Sequence, residues 1–306
     1  MPAVAVAGDF ASTNPRHNAL AGPGGFVAGP SGLYVGRFAW ISNANQDPDN
    51  YGTILNNFGS GLPLGFMHRA SQALITDYLG LATQRIPQGF GANECFDAGD
   101  FWVQNDGTTP VLPYMKVYAF FSTGQASAAL TGAASSVALA SASIAPATAL
   151  SATGSISGNT LTLTAVAAGT AVNGTIITGA GVATGSQIVS QLIPLASGEA
   201  LGGVGRYSLN IGGQSVASEA IAGTSGILTL NTATPQPVSG SLISGTGVTA
   251  GTTVWGQIDA LDWVVSPSQT AGATTITSTT NIETKWIAES GAAPGELFKM
   301  TSQAPG

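Results

Sequence analysis

The sequence predicts a mainly β protein: a compact β-rich host domain with one helix, into which two small β-sandwich or barrel-like repeats are inserted. Three observations carry that reading. Only 8% of the 306 residues are charged, where about a quarter is usual for a soluble globular chain. Gly (42 residues), Ser, Thr and Ala fill the difference and cut β-branched runs into short strands. Two stretches are copies of one another: Gly179-Ala180-Gly181-Val182-Ala183-Thr184-Gly185-Ser186-Gln187-Ile188 matches Gly245-Thr246-Gly247-Val248-Thr249-Ala250-Gly251-Thr252-Thr253-Val254, 66 positions on. Leu161-Thr162-Leu163 matches Leu228-Thr229-Leu230 one position further, and Gln214-Ser215 matches Gln269-Thr270 after a deletion of about eleven residues. Finally, strand-like sequence unrelated to the repeats returns at the C-terminus. Duplicated small β units multiply surface and reach rather than build one reaction centre.

Residues 1–36 read as an extended arm. Asn14-Pro15, Gly22-Pro23-Gly24-Gly25 and Gly29-Pro30 break any long element, while Phe10, Leu20, Phe26 and Val27 are too apolar for a solvated tail. Such an arm is expected to lie across neighbouring subunits rather than in its own core. Arg16 and His17 are then the groups to meet an acidic neighbour, and His68 and Arg69 are placed to contact a neighbour's carboxylate or carbonyl. Phe10, Arg16, His17, Leu20, Phe26, Val27, His68 and Arg69 are the candidate partner-binding residues.

Residues 37–121 together with 281–306 form the host domain. Leu33–Ile41, Asp100–Asn105 and Lys116–Phe120 have strand character. Ala70, Leu74 and Tyr78, with Ala73 and Ile75 beside them, recur at helical spacing between Gly65 and Pro87 and predict the helix. Tyr34, Phe38, Trp40, Phe101 and Trp102 are expected in the core or at a subunit interface. Residues 122–152 are an Ala/Ser/Thr-rich connector. The first repeat spans 153–222 and the second 223–280. Glu283–Ala288 and Leu297–Met300 are the returning strands, so the ends of the insertion must lie close together.

Most chemistry is excluded. A net charge of −7 with eight Lys and Arg leaves no basic stripe for nucleic acid. The N-terminal sequence has no basic region followed by an apolar one, so the chain is expected to stay in the cytoplasm where it is made until assembly. The stretch from Ala128 to Leu150 is too poor in large apolar side chains, and carries Pro146, to span a membrane. Cys95 is alone, which excludes an internal disulfide and metal-site spacing and predicts a buried small hydrophobe. His17 and His68 are the only histidines, no Gly-x-Ser-x-Gly elbow occurs, and no catalytic residue is assigned. Gly179, Gly181 and Gly185, with Gly245, Gly247 and Gly251, have the wrong spacing for a dinucleotide fingerprint and read as turns. Asn43–Asn50 gathers oxygen ligands but lacks the central Gly and distal Glu of a calcium loop. Glu94, Asp97 and Asp100 are expected to be structural. No cofactor and no metal is expected.

Ala7-Gly8-Asp9-Phe10-Ala11-Ser12-Thr13-Asn14-Pro15-Arg16, Ala21-Gly22-Pro23, Val27-Ala28-Gly29-Pro30, Val35-Gly36-Arg37-Phe38-Ala39-Trp40, Gly65-Phe66-Met67-His68-Arg69, Gln72-Ala73-Leu74-Ile75-Thr76 and Gly99-Asp100-Phe101-Trp102-Val103 resemble the structural cement proteins of tailed bacteriophages. Thr284-Lys285-Trp286 and Pro294-Gly295-Glu296-Leu297-Phe298-Lys299 are similar to that family's C-terminal end. The resemblance covers residues 7–120 and 281–306; the repeats depart from it. It implies a non-enzymatic virion protein on the exterior of the capsid, commonly a homotrimer, that bridges and stiffens major capsid protein subunits. The trimer interface is then expected near Phe38, Trp40 and Phe101, with the repeats projecting outward. The alternative is a receptor- or glycan-binding virion protein that uses the repeats for host-surface contact.

Overall fold

An alternation of large and small or polar side chains with period two runs through long stretches of the chain, and these stretches fold as strands. In Leu150–Gly158, for instance, Leu150, Ala152 and Ile156 point inward while Ser151, Thr153 and Ser157 face water. The computed structural model describes residues 5–29, 31–41, 52–69, 84–192 and 197–303, and every regular element among them is a strand. The helix predicted at Ala70, Leu74 and Tyr78 and the loop Asn43–Asn50 lie outside the described residues.

The chain divides into two compact units. One is drawn from Met1–Gln46, Asn50–Ser135 and Thr280–Gly306; the other is built on Ser136–Thr279. In the first, the host unit, a six-stranded sheet has the order β1 (His17–Asn18), β8 (Cys95–Ala98), β6 (Gly65–Met67), β4 (Phe38–Ile41), β5 (Thr53–Asn56), β2 (Phe26–Ala28). A five-stranded sheet has the order β11 (Ala126–Ala129), β10 (Lys116–Phe120), β24 (Asn281–Ala288), β25 (Leu297–Thr301), β9 (Asp100–Gln104). A short pair, β3 (Leu33–Tyr34) with β7 (Arg85–Ile86), is the third sheet of this unit among the described residues.

Aromatic rings from both sheets meet in one chain. Trp286 packs edge-on to Phe38 at 5.3 Å, Phe38 to Phe66 at 5.3 Å, and Phe66 against Phe101 at 5.2 Å. All four side chains are fully buried. Each such ring contributes about 1.5–3 kcal/mol of burial, and each favourable ring pair about 0.5–1.5 kcal/mol beyond it. Phe38, Trp40 and Phe101 are therefore core residues of their own unit, 0–3% exposed, so an interface near them would be made by other side chains. Tyr34 is exposed and Trp102 half-buried.

The inserted unit leaves and returns through hydrogen-bonded neighbours. Thr280 N donates to Ser135 O at 2.9 Å, and Ser135 N donates to Asn281 Oδ1 at 2.8 Å. Glu283 secures the turn beside them, accepting from Gly132 N at 2.7 Å, Thr131 Oγ1 at 2.9 Å and the Tyr118 hydroxyl at 3.0 Å. The Gly132 amide is the first cause of a Glu283 carboxyl held below its ordinary range.

Ser136–Thr279 contains the same six-stranded module twice. One copy is β13 (Leu150–Gly158), β14 (Thr160–Ala168), β15 (Ile176–Thr178), β16 (Ile188–Gln191), β17 (Gly205–Leu209) and β18 (Gln214–Thr224), in the order β15-β18-β13-β14-β17-β16. A bridge between Ile176 and Gln187 joins its two edges. The other is a closed barrel of β12 (Ser136–Pro146), β19 (Gly226–Thr229), β22 (Asp262–Ser266), β21 (Thr253–Gln257), β20 (Leu242–Ser244) and β23 (Ala271–Thr279). Strand for strand the pairings correspond, down to the closing contact, Leu242 with Thr253. The first strand of the second barrel thus precedes the whole of the first barrel, which is spliced between β12 and β19. Ala147 N donates to Ser225 O at 3.0 Å across that splice. The Ala/Ser/Thr-rich stretch 122–152 supplies β11, β12 and the start of β13.

Identity of the copies extends to individual hydrogen bonds. Ile177 N donates to Ser186 O and Ile243 N to Thr252 O, both at 2.9 Å. The Gln214 carbonyl accepts from Ala183 N at 2.9 Å while its amide donates to Ser186 Oγ at 3.0 Å; Gln269 does the same with Thr249 N at 2.7 Å and Thr252 Oγ1 at 2.7 Å. Gly185 (φ 84°) and Gly251 (φ 83°) both sit in the left-handed region that the hairpin requires. These glycines are turn residues, as the sequence predicts.

Gln214→Ala orphans the Ala183 amide and the Ile211 carbonyl, and should cost about 2 kcal/mol. Gln269→Ala, whose partner amide is exposed, should cost less. Urea unfolding of the two variants checks the ranking. Cys95 is buried, and desolvation pushes its thiol up to about 12. It should resist a disulfide-exchange reagent in native protein and react once the protein is denatured.

Candidate partner-binding site

The polar cluster of the host unit forms where the N-terminal segment lies along the free edge of β9. Gly8 N donates to Trp102 O at 2.8 Å, Trp102 N to Asp9 O at 2.9 Å, and Ala11 N to Asp100 O at 3.0 Å, so the segment acts as a further strand. Period two then aims Phe10 inward. Its ring is stacked on His68 at 3.8 Å, edge-on to Phe96 at 5.3 Å and tilted against Phe101 at 5.4 Å, extending the aromatic chain. Arg16 closes the stack from outside, its guanidinium carbon 3.8 Å from the Phe10 centroid. Ser12 Oγ and Asn14 Nδ2 both donate to Asp100 Oδ2, and Gln303 Nε2 donates to Pro15 O at 2.9 Å.

Five of the eight candidate residues, Phe10, Arg16, His17, His68 and Arg69, come together here. The charges expected to meet a neighbour face carboxylates of their own unit. His17 Nδ1 lies 2.7 Å from Asp97 Oδ1, His68 Nδ1 3.4 Å from Glu94 Oε2, and Arg69 Nη1 3.5 Å from Asp9 Oδ1. Glu94 and Asp97 are structural partners. Phe26 and Val27 are elsewhere, in β2, 1% and 5% exposed in their own unit's core. The expectation that the arm's apolar residues lie on a neighbour is corrected for these two: β2 pairs in parallel with β5, both side chains are buried, and Phe26 joins the core cluster of Leu33, Leu55 and Met67. Leu20 is 86% exposed and Arg16 is exposed. These two face outward and remain available to a partner.

Two further outward residues escape the sequence reading. Leu112 and Tyr114 are 57% and 76% exposed on the loop between β9 and β10. Tyr114 has φ 68°, a costly conformation for a non-glycine residue. The loop is held by Val111 paired with Ala292 and by Tyr114 N donating to Ala288 O at 2.7 Å. Pro110, and Pro113 between Leu112 and Tyr114, were the available signal, since they stiffen a segment that displays large side chains. Among the described residues no three His, Cys, Asp or Glu side chains are grouped to hold a metal ion, and no helix is long and apolar enough to cross a membrane.

Burial lowers the His68 pKa below its ordinary 6.5, with Glu94 and Asp9 opposing and Arg16 adding to the shift. The unfolded chain binds that proton more readily. The His68 contribution to stability is therefore intact above about pH 6.5 and lost as pH falls through the lowered value. His68→Gln should flatten the acid side of the stability curve, measured by urea unfolding from pH 8 to pH 5. An unchanged slope would show that other groups set it.

The XM1 gp53 minor capsid protein family model matches residues 1–191. That span includes the N-terminal segment, the polar cluster apart from Gln303, residues 122–152 and the first four strands of the first barrel. The family's span thus runs beyond the resemblance at residues 7–120 and into the repeats. No curated protein and no solved structure matches the chain. The match takes in more than half of the sequence, and with it the site just described: the chain belongs to the XM1 gp53 minor capsid protein family and is a structural protein of a bacteriophage virion.

Proposed function

We propose that the protein is a capsid cement protein. The host unit attaches to the outer surface of the shell and cross-links major capsid protein subunits, as a trimer, while the two barrels project away from the capsid. The observation that carries this reading is the splice at Ser135 and Thr280. A host sandwich with its own aromatic core is joined to a duplicated module through paired strands, so each part keeps its own fold. Attachment is assigned to the host unit because, beside Arg16, Leu20 and Leu112, it carries the exposed aromatic rings Tyr34, Phe90 and Tyr114, while the exposed large apolar side chains of the barrels, Leu201, Val238, Ile258 and Leu261, are aliphatic. A charge-poor surface lowers the desolvation cost of a large contact, and a stable trimer would bury more than about 1,000 Å² at each pairwise interface. No catalytic role is proposed, because the charged groups of the cluster are engaged within it: His17 with Asp97, Arg69 with Asp9, Asp100 with Ser12 and Asn14, and Arg16 with the Phe10 ring.

Replacing residues 136–279 with a short Gly/Ser linker from Ser135 to Thr280 should leave a folded host unit that still co-sediments with undecorated shells. Cryo-electron microscopy of particles with and without the full protein tests position. Density repeated over the outer shell, shortened by the excision, supports the cement reading. Density confined to the tail would instead favour a receptor-binding protein gripping host glycans through the barrels. A linker variant that folds but no longer binds shells would move attachment to the barrels.

A further inference from the structure

We infer that residues 5–19 are an exchangeable latch: the segment that sits along β9 and β8 of its own host unit takes the same seat in a second copy of this chain when copies are crowded together. Most of the contacts that hold the segment are to residues outside it; the internal ones are the Val6–Asp9 turn, Asn14 N donating to Ser12 Oγ, and Arg16 over Phe10. Its backbone pairs with β9 at Asp100 and Trp102 and with β8 through β1, and Ala19 N donates to Cys95 O at 2.9 Å. Its one large ring enters a socket formed by His68, Phe96 and Phe101, and Ser12 and Asn14 donate to the buried Asp100. That seat is complete without the segment's own downstream chain, so a second copy's segment satisfies it equally.

The stretch after the latch has the form of a hinge. Leu20, Ala21, Gly22, Pro23 and Gly24 are all exposed, and β2 begins at Phe26. Among the described residues Leu20–Gly24 carry one backbone hydrogen bond, a turn in which Gly22 O accepts from Gly25 N at 3.1 Å, and the chain is anchored again at Gly25, whose carbonyl accepts from Thr53 N at 2.8 Å. Five extended residues reach about 17 Å, enough to cross to a copy packed alongside and too little to reach a distant one. Pro23 stiffens the link and disfavours a tight return. Leu20, 86% exposed in the single chain, is the side chain that a closely packed neighbour would cover. Since the contacts are the same in both arrangements, concentration decides: the tethered segment prevails in dilute protein, and close packing raises the competing concentration of neighbours' segments.

Cysteines placed across the β1–β8 pairing, where His17 opposes Ala98, read this out. The double variant His17→Cys/Ala98→Cys, oxidised dilute, should form a bond within one chain and so show that the geometry permits closure. The single variants, mixed, concentrated and oxidised by copper phenanthroline, should form a covalent pair of one His17→Cys chain with one Ala98→Cys chain. On assembled particles the double variant should give ladders of linked chains. If the double variant closes only within chains at every concentration and on particles, and the mixed singles never pair, the latch does not exchange. Full-length protein mixed with protein lacking residues 1–19 gives a cysteine-free readout: a mixed dimer by native mass spectrometry supports exchange, and its absence at high concentration counts against it. Exchange in solution does not require attachment to a capsid, so the two readings fail separately.

Discussion

The chain of aromatic rings from Trp286 to Phe10 is the contact on which the host unit depends. Its first ring comes from β24, the strand that follows the insertion, and its last from the N-terminal segment. Nothing between them is exposed, so removing either end would leave Phe38 or Phe101 facing a void or water. A void left by a ring costs about 3–5 kcal/mol, a large part of the stability of a domain this size. The host core is therefore complete only when residues on both sides of the inserted unit, and the first residues of the chain, are in place together.

That dependence constrains the insertion. A polypeptide that leaves a sandwich and must return to the adjacent strand can carry a passenger only if the passenger's ends meet, which the Ser135–Thr280 hydrogen bond enforces. The same solution is used again one level out, where Pro146 opposes Gly226 and Ala147 bonds Ser225. A closed barrel suits this use, because its ends can meet at one strand pair and closure leaves few unpaired edges.

Much of the duplication was legible in the sequence because it rests on residues with narrow requirements. Gly185 and Gly251 hold positive φ, and Gln214 and Gln269 brace the hairpin from a distant strand, so neither pair tolerates drift. The boundary was not legible. β12 and β13 play the same part, yet they share little beyond Ser143-Ile144 with Ser155-Ile156, since outward Ala, Ser and Thr are interchangeable on a wet face. The candidate site was half legible for a related reason. Composition shows that Phe10, Phe26 and Val27 must be buried, but hydrophobic burial has no direction, so it does not distinguish a chain's own core from a neighbour's. Likewise Arg16, His17, His68 and Arg69 announce a need for negative charge without naming Asp9, Glu94 or Asp97 as what supplies most of it.

The modes of attachment differ in what they allow between copies. Each barrel is joined to the chain at two strands that are paired with each other, so trading a barrel with a neighbour would require opening two backbones and the sheet at their root. The N-terminal segment is joined at one strand through an exposed stretch, and leaving its seat opens an edge rather than a barrel wall. Its hydrogen bonds and its single ring would be regained in full on the next copy, which makes the net cost of transfer mostly that of ordering the hinge. A shell of many identical subunits gains most from links that are weak alone and repeated everywhere. In this fold the segment from Ala5 to Ala19 is joined through one exposed stretch, so such a link would ask only that a neighbour's Phe10 refill the socket of His68, Phe96 and Phe101.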